Sequence, residues 1–243
     1  MKTIIEITED DVLVKSEKNG VQSIKHTTPN SLKAALSVGE FEESPFMPAG
    51  DGFIKYMNKG RKEVYFYISP PKRLDVKINE GSGNIRDCKV ETPHMLWVLH
   101  FTKQSDTERR LTGSSVYGVA GPIRTMETQL FEAPFPNVYD DQKICWGGYS
   151  PVFRGVESIP SIVSQFFMAP FNYDLTGGID SSELDENEFE DQGYGSTIYL
   201  IRYMDHMIQN ESHPREYKFP LEVMQEHGDL RRAIRIARES LDR

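Results

Sequence analysis

The sequence has little cysteine and no long apolar run, and both shortages exclude classes of protein. Only two cysteines, Cys88 and Cys145, occur among 243 residues. That number is too small for a disulfide-stabilised scaffold or a four-cysteine zinc site. No apolar stretch approaches the roughly 18 residues of a membrane span, and Glu6 comes too early for a signal peptide. We therefore expect a cytoplasmic protein without a membrane partner.

Basic residues are also scarce, because 28 Lys and Arg stand against 37 Asp and Glu, for a net charge of −9. This balance argues against a nucleic-acid partner. Seven acids and no base fall within residues 180–191. Such a segment is typical of a solvated loop, with a docking strip for a basic partner as the alternative. The six histidines show no His-Glu-x-x-His spacing, and Gly81-Ser82-Gly83 lacks the rest of a phosphate-binding fingerprint, so these residues indicate neither a metal nor a nucleotide cofactor.

Hydrophobic periodicity predicts an α+β fold. Thr3–Ile7 and Val12–Lys15 indicate an N-terminal β-hairpin or small meander over residues 3–25, and Pro29-Asn30-Ser31 precedes a short helix. An antiparallel meander follows, because further strand patterns succeed one another without long helices between them. Its predicted strands are Phe53–Met57, Glu63–Ile68, Leu74–Ile78, Met95–Phe101 and Ser115–Ala120. Helices are predicted at Ile159–Phe167, at Thr197–Ile208 and from Leu230 to Leu241.

Proline and glycine divide the chain into three parts. Residues 39–52 are rich in both and are interpreted as an early linker. We expect residues 1–50 to form the hairpin and helix, and residues 51–175 to form the meander with its flanking helices. Residues 176–243 are expected to hold the acidic loop and C-terminal helices that pack on the core.

The densest chemical signal lies in residues 130–151. This aromatic, proline-rich stretch leads to Cys145, which Trp146 and two glycines follow. A cysteine thiolate is a nucleophile, and an Asn amide such as that of Asn137 can stabilise an oxyanion. By residue type alone, a buried structural cysteine and a turn asparagine are the alternative. A cysteine hydrolase with a distant histidine is a third hypothesis, and Cys88 has no assigned role.

Phe135-Pro136-Asn137, followed after seven residues by Cys145, resembles the His-Pro-Asn and cysteine signature of the E2 ubiquitin-conjugating enzymes. Tyr139 matches a tyrosine of the SUMO-conjugating branch. The chain is most similar to a bacterial group, the prokaryotic E2 family D, also called PRTRC system protein B. Three stretches carry this similarity: Pro70–Val76, Thr128–Gly147 and Phe166–Phe171.

The resemblance implies an E2/UBC-like fold over residues 51–175 and a protein that carries a ubiquitin-like protein as a thioester. Cys145 would be the carrier, and Asn137 would stabilise the oxyanion and brace the loop. Tyr139 would shape the site of the acceptor lysine. An acid would orient that lysine, with Asp174 as the candidate and Asp140 and Asp141 as alternatives.

The implied partners are an E1-like adenylating enzyme, a ubiquitin-like protein and a JAB-type metalloprotease that removes the modifier. Operons of this kind are associated, by the same resemblance, with plasmids and antiphage defence. The chain departs from the family pattern at two positions. Phe135 replaces the family histidine, which keeps the packing of an aromatic ring and loses a hydrogen bond.

Gln142 replaces the turn glycine of many members. Because Gln disfavours a positive φ, we expect either a different turn or Asp141 at the strained position. Both departures leave open a second function, an E2-variant adaptor that binds a ubiquitin-like protein or the E1 without conjugation.

Overall fold

A computed structural model describes residues 2–7, 12–18, 21–27, 41–149, 151–172, 174–175, 197–210 and 218–242. Within these ranges the chain forms thirteen strands and three α-helices, which confirms the α+β class. The helix predicted after Pro29 and the acidic segment 180–191 lie outside the described residues. None of the described helices has the length and apolarity needed to cross a bilayer.

The elements are numbered in chain order. The strands are β1 (Lys2–Ile7), β2 (Val12–Lys18), β3 (Val21–Thr27), β4 (Phe41–Glu43), β5 (Gly52–Lys59), β6 (Lys62–Ser69), β7 (Arg73–Asn79), β8 (Ile85–Glu91), β9 (His94–Lys103), β10 (Arg109–Val119), β11 (Gln129–Glu132), β12 (Val152–Phe153) and β13 (Glu226–Asp229). The helices are α1 (Ile159–Met168), α2 (Thr197–Asn210) and α3 (Leu230–Asp242).

The strands form three antiparallel groups. β1, β2 and β3 make a small meander, as the N-terminal pattern predicts. The main sheet has the order β13-β11-β10-β9-β6-β5-β4, and β12 pairs with β10. The short strand β4 lies within the predicted linker and pairs with β5, so this stretch contributes to the sheet.

The strand predicted at Leu74–Ile78 forms, but its expected place in the meander is wrong. It lies in β7, which pairs with β8 over its whole length. These two strands form a separate sheet and are not part of the main sheet. The physical reason is that this hairpin has its own buried face, formed by Val76, Ile78, Cys88 and Val90. That face packs into the same core as the helices.

The apolar run Met95–Phe101 forms the central strand β9, as predicted, with β6 on one side and β10 on the other. Both faces of this strand are buried, which explains why its apolar residues are nearly continuous. Trp97 faces the core that holds α1, where its ring meets Phe166 at 5.5 Å between centroids. Val98 belongs to the opposite core, which α3 covers.

Helix α3 buries the stripe that its sequence predicts. Four apolar side chains at helical spacing are buried, namely Leu230, Ile234, Ala237 and Leu241. Asp229 caps the helix, because its Oδ1 accepts a hydrogen bond from the backbone N–H of Arg232 at 2.8 Å. Burial of one stripe anchors α3 across the second face of the main sheet.

The segment after α1 returns along β7 and so comes close to the chemically rich stretch. The backbone N–H of Phe171 donates to the carbonyl of Lys77 at 2.8 Å, and the N–H of Asn79 donates to the carbonyl of Phe171 at 2.7 Å. Helix α2 packs on β8, where the Lys89 N–H donates to the Asp205 carboxylate at 2.7 Å. The two bonds between Phe171 and β7 hold the segment after α1 in a defined position beside the site described next.

Candidate active site

Residues 137–145 form a tight turn that we call the Cys145 hairpin. The backbone N–H of Cys145 donates to the carbonyl of Asn137 at 2.8 Å, and that of Tyr139 donates to Lys143 at 2.9 Å. The N–H of Gln142 donates to the Tyr139 carbonyl at 2.7 Å, which closes the turn. A three-residue connection of this kind places its last residue in the left-handed region.

Gln142 occupies that left-handed position, with φ of 65°. The expectation that the turn would differ or that Asp141 would take the strain is therefore wrong. The Gln142 side chain explains how the strain is tolerated, because it is buried and its Oε1 accepts the backbone N–H of Ala133 at 2.7 Å. This bond offsets a left-handed penalty of about 1–2 kcal/mol and ties the turn to the chain before it.

Strand β10 holds the hairpin on both sides of the cysteine. The backbone N–H of Ile144 donates to the Ser114 carbonyl at 3.0 Å, and the Trp146 Nε1–H donates to Ser114 Oγ at 2.7 Å. One residue of the sheet thus fixes both neighbours of Cys145. The N–H of Val116 adds a bond to the Gln142 carbonyl at 3.0 Å.

Cys145 is half-buried and faces a cleft of about 460 Å³. The cleft is lined by the hairpin, by the end of α1 and by the segment after it, including Asn137, Trp146, Phe166, Met168, Pro170 and Asn172. Beyond the cysteine, a Cβ on Gly147 or Gly148 would meet no described heavy atom within 4 Å. Another chain can therefore approach the sulfur across these glycines.

Asn137 shares this cleft and also has a left-handed backbone, with φ of 63°. Asn tolerates this region better than most residues. Its Nδ2 donates to the Pro170 carbonyl at 3.4 Å, a long hydrogen bond that links the hairpin to the segment after α1. The Asn137 side chain thus lies where a loop brace is expected, and its backbone carbonyl is bonded to Cys145.

Tyr139 projects from the hairpin toward Cys145. Its hydroxyl donates to Cys145 Sγ at 3.5 Å, while 45% of the residue is exposed. The hydrogen bond to Cys145, and next the charge that Cys145 gains on ionisation, raise the pKa of Tyr139 above its usual value. The phenol therefore keeps its proton and remains a hydrogen-bond donor.

Phe135 and Pro136 lie in the core beneath the cleft. The Phe135 ring is fully buried, stacks near Phe171 at 6.2 Å and meets Phe167 edge to face at 5.6 Å. Phe135 thus makes the aromatic packing expected of a ring at this position. An imidazole here would need a hydrogen-bond partner within an apolar surrounding.

The acids predicted near the cysteine are not lining residues of the cleft. Asp174 is exposed and accepts a hydrogen bond from Asn172 Nδ2 at 2.9 Å. Asp141 forms an ion pair with Lys143 at 2.5 Å, and Asp140 is exposed on the turn. Asn172 does line the cleft, and nothing in its local sequence indicates it.

Metal ligation finds no support in the described residues, since no three His, Cys, Asp or Glu side chains there are grouped around a common point. None of the described histidines lines the cleft. The polar groups described at this site are the Cys145 thiol, the Asn137 and Asn172 amides and the Tyr139 phenol.

Comparison with known families identifies the chain. The model of prokaryotic E2 family D matches residues 23–190, which is more than half of the chain. The chain belongs to prokaryotic E2 family D. The resemblance drawn from Thr128–Gly147 is confirmed, and the matched range of this family D protein includes the whole Cys145 hairpin and α1. Neither the curated proteins nor the solved structures gave a match.

Proposed function

We propose that this family D protein carries a ubiquitin-like protein as a thioester on Cys145 and passes it to a target amine. The single observation that best supports this function is the placement of Cys145 and Asn137 in one open cleft. Membership of an E2-like family supports a role in bacterial ubiquitin-like conjugation. The E2 chain path over residues 51–175 is part of the same proposal.

In the first step, the Cys145 thiolate attacks the thioester carbonyl that an E1-like enzyme presents. A carbon–sulfur bond to Cys145 forms, and the E1 sulfur leaves as a thiolate. In the second step, an amine attacks the new thioester, and the Asn137 amide is proposed to stabilise the oxyanion of the tetrahedral intermediate. The carbon–nitrogen bond forms, the Cys145 sulfur leaves, and the amine proton passes to water.

No metal or nucleotide needs to bind this chain, because the thioester made upstream already carries the activation. The proposed partners are the E1-like enzyme, the ubiquitin-like protein and a JAB-type metalloprotease that removes the modifier. We further propose a cytoplasmic setting and an operon of the plasmid or antiphage kind. An E1-like gene beside this one would support that setting.

A non-catalytic adaptor is the alternative that the departures from the family pattern favour. Two observations weigh against it. Phe135 is fully packed in place of the histidine, and Gln142 braces the turn through a 2.7 Å hydrogen bond to Ala133. Both keep the hairpin in a form that can present a nucleophile.

The test is a charging reaction with the neighbouring E1-like enzyme, the ubiquitin-like protein and ATP, analysed on a non-reducing gel. We expect an adduct that reducing agent removes, that is absent in Cys145→Ala and that persists in Cys88→Ala. The matched Cys88 variant controls for reaction at the other thiol. Binding of the partners with no thiol-sensitive adduct on the wild type would favour the adaptor and contradict the transferase.

A further inference from the structure

We propose that the Tyr139 hydroxyl is a catalytic hydrogen-bond donor to the sulfur of Cys145, which stabilises the thiolate whenever it forms or leaves. This inference rests on the proposed thioester function and assigns Tyr139 a task different from shaping the lysine site. The geometry that carries it is the 3.5 Å contact between Tyr139 Oη and Cys145 Sγ. Both residues lie on the Cys145 hairpin, on opposite sides of its turn.

The hairpin presets this contact. The Tyr139 N–H donates to the Lys143 carbonyl at 2.9 Å, and the Cys145 N–H donates to the Asn137 carbonyl at 2.8 Å. These bonds fix the backbone positions of Tyr139 and Cys145 relative to each other. The Tyr139 side chain then brings its hydroxyl to 3.5 Å from Cys145 Sγ. Ser114 of strand β10 is hydrogen-bonded to Ile144 and to Trp146, the two neighbours of Cys145 in the chain. These bonds restrain the backbone of Cys145 next to Tyr139.

Among the described residues, the cleft contains no charged side chain that could stabilise the Cys145 thiolate, so a neutral hydrogen-bond donor is needed. The residues that line it beside Cys145 include no Lys, Arg, His, Asp or Glu among those described. The nearest charged groups on the hairpin are Asp140, Asp141 and Lys143, and the last two are paired with each other at 2.5 Å. Hydrogen bonding to the charged form of an acid favours that form, and a phenol that keeps its proton can supply the bond.

We expect the Tyr139 hydrogen bond to have its largest effect on the rate of the second step, the transfer from Cys145 to the amine. When the amine attacks the Cys145 thioester, the carbon–sulfur bond breaks and the sulfur takes the electron pair. At that moment the sulfur becomes a strong acceptor for the Tyr139 O–H, which stays protonated throughout. In the first step the attacking thiolate accepts the same bond, which makes it somewhat less nucleophilic, so a smaller effect is expected there.

The experiment measures the pH profile of Cys145 alkylation by iodoacetamide in the full chain, with the labelled site mapped by mass spectrometry. Tyr139→Phe removes only the hydroxyl. Tyr149→Phe is the matched control, because Tyr149 lines the same cleft, whereas the described hydrogen bond to Cys145 Sγ comes from Tyr139. We expect the midpoint for Tyr139→Phe to rise by roughly 0.5–1 pH unit, with Tyr149→Phe at the wild-type midpoint.

Coincident midpoints for wild type and Tyr139→Phe would overturn the inference. So would an equal rise in Tyr149→Phe, since that would indicate a general change in the cleft.

The alkylation assay needs no partner protein, so it separates this inference from the proposed function. If the wild type never forms a thioester, the proposed function fails, and the alkylation profile still decides whether Tyr139 acts on the sulfur. If the thioester forms, its discharge to a free amine should be about 5- to 20-fold slower in Tyr139→Phe. An unchanged discharge rate would limit the hydrogen bond to the resting enzyme and contradict its catalytic role.

Discussion

At the scale of single residues, the two cysteines differ in burial and in the groups around the sulfur. Cys88 is 2% exposed on β8, and burial raises its pKa to about 11, so it is a packed apolar side chain. Cys145 is half-buried beside an open glycine segment and accepts a hydrogen bond from Tyr139. The sequence motif singled out the same cysteine, because Asn137 stands eight positions before it.

Gln142 gives the first residue-scale prediction, through two substitutions that separate its backbone from its side chain. Gln142→Gly relieves the positive φ and loses the bond to Ala133, so its unfolding free energy should stay within about 1 kcal/mol of the wild type. Gln142→Ala keeps the strain that the wild type already has and loses the same bond, so the unpaired Ala133 N–H should cost about 1–3 kcal/mol. Urea denaturation measures both, and equal stabilities would show that the left-handed backbone carries no strain.

Asn137 gives the second residue-scale prediction, because two substitutions remove its amide donor, and with it the bond to Pro170, in different ways. Asn137→Asp keeps the shape and the tolerance for a positive φ and loses the N–H donor. Single-turnover discharge of the Cys145 thioester to a free amine should slow by about 10²-fold. Asn137→Gly, which keeps the backbone and removes the side chain, should slow it similarly. Full activity in either variant would contradict the oxyanion role.

At the scale of elements, the sequence predicts what depends on local pattern. The strand β9 and the helices α1, α2 and α3 follow from the periodicity of their apolar residues. The position of β7 outside the main sheet could not be predicted from the sequence. It depends on the tertiary packing of the whole β7–β8 hairpin, which local patterns do not contain. Asn172 could not be predicted either, since residues 170–172 reach the cleft through bonds to a distant strand.

The strained turn shows a limit of another kind. A positive φ at Gln142 goes against the preference of the residue, and a tertiary contact with Ala133 overrides that preference. The packing of Phe135 was predictable from the aromatic character of the side chain. Its particular neighbours, Phe167 and Phe171, come from α1 and the segment after it.

Helix α3 gives a prediction at this scale, because it carries two isoleucines with different exposure. Ile234 is 4% exposed against the main sheet, and Ile236 is 48% exposed. Ile234→Ala should lower the unfolding free energy by about 2–4 kcal/mol, because it leaves a cavity. Ile236→Ala, the matched control, should change it by less than about 0.5 kcal/mol. Denaturant titration measures both, and similar losses would mean that α3 does not cover the sheet as described.

At the scale of the whole molecule, the main sheet has a core on each face, one with α1 and α2 and one with α3. His100 lies near the second core, where its Nδ1 is 3.2 Å from Ser240 Oγ. Burial lowers the pKa of His100 to about 4. The folded state therefore holds this histidine neutral at a pH at which the unfolded chain would protonate it.

This linkage gives a pH prediction. In the unfolded chain His100 takes up a proton below a pKa of about 6.5. The free energy of unfolding therefore falls as the pH drops from about 6.5 toward about 4. Between about pH 7 and about pH 5, His100 should account for a loss of about 2 kcal/mol. His100→Gln, which cannot take up the proton, should lose less over the same interval in urea titrations. An identical pH dependence in both proteins would contradict the burial of a neutral imidazole.

The central claim is that Cys145 carries a ubiquitin-like protein as a thioester. Intact-mass spectrometry after one charging reaction with the E1-like enzyme, the ubiquitin-like protein and ATP tests it most directly. We expect a product with the mass of the chain plus the modifier minus one water, reverted by thiol and absent in Cys145→Ala. An unmodified wild-type mass in a reaction where the E1-like enzyme is itself charged would contradict the claim.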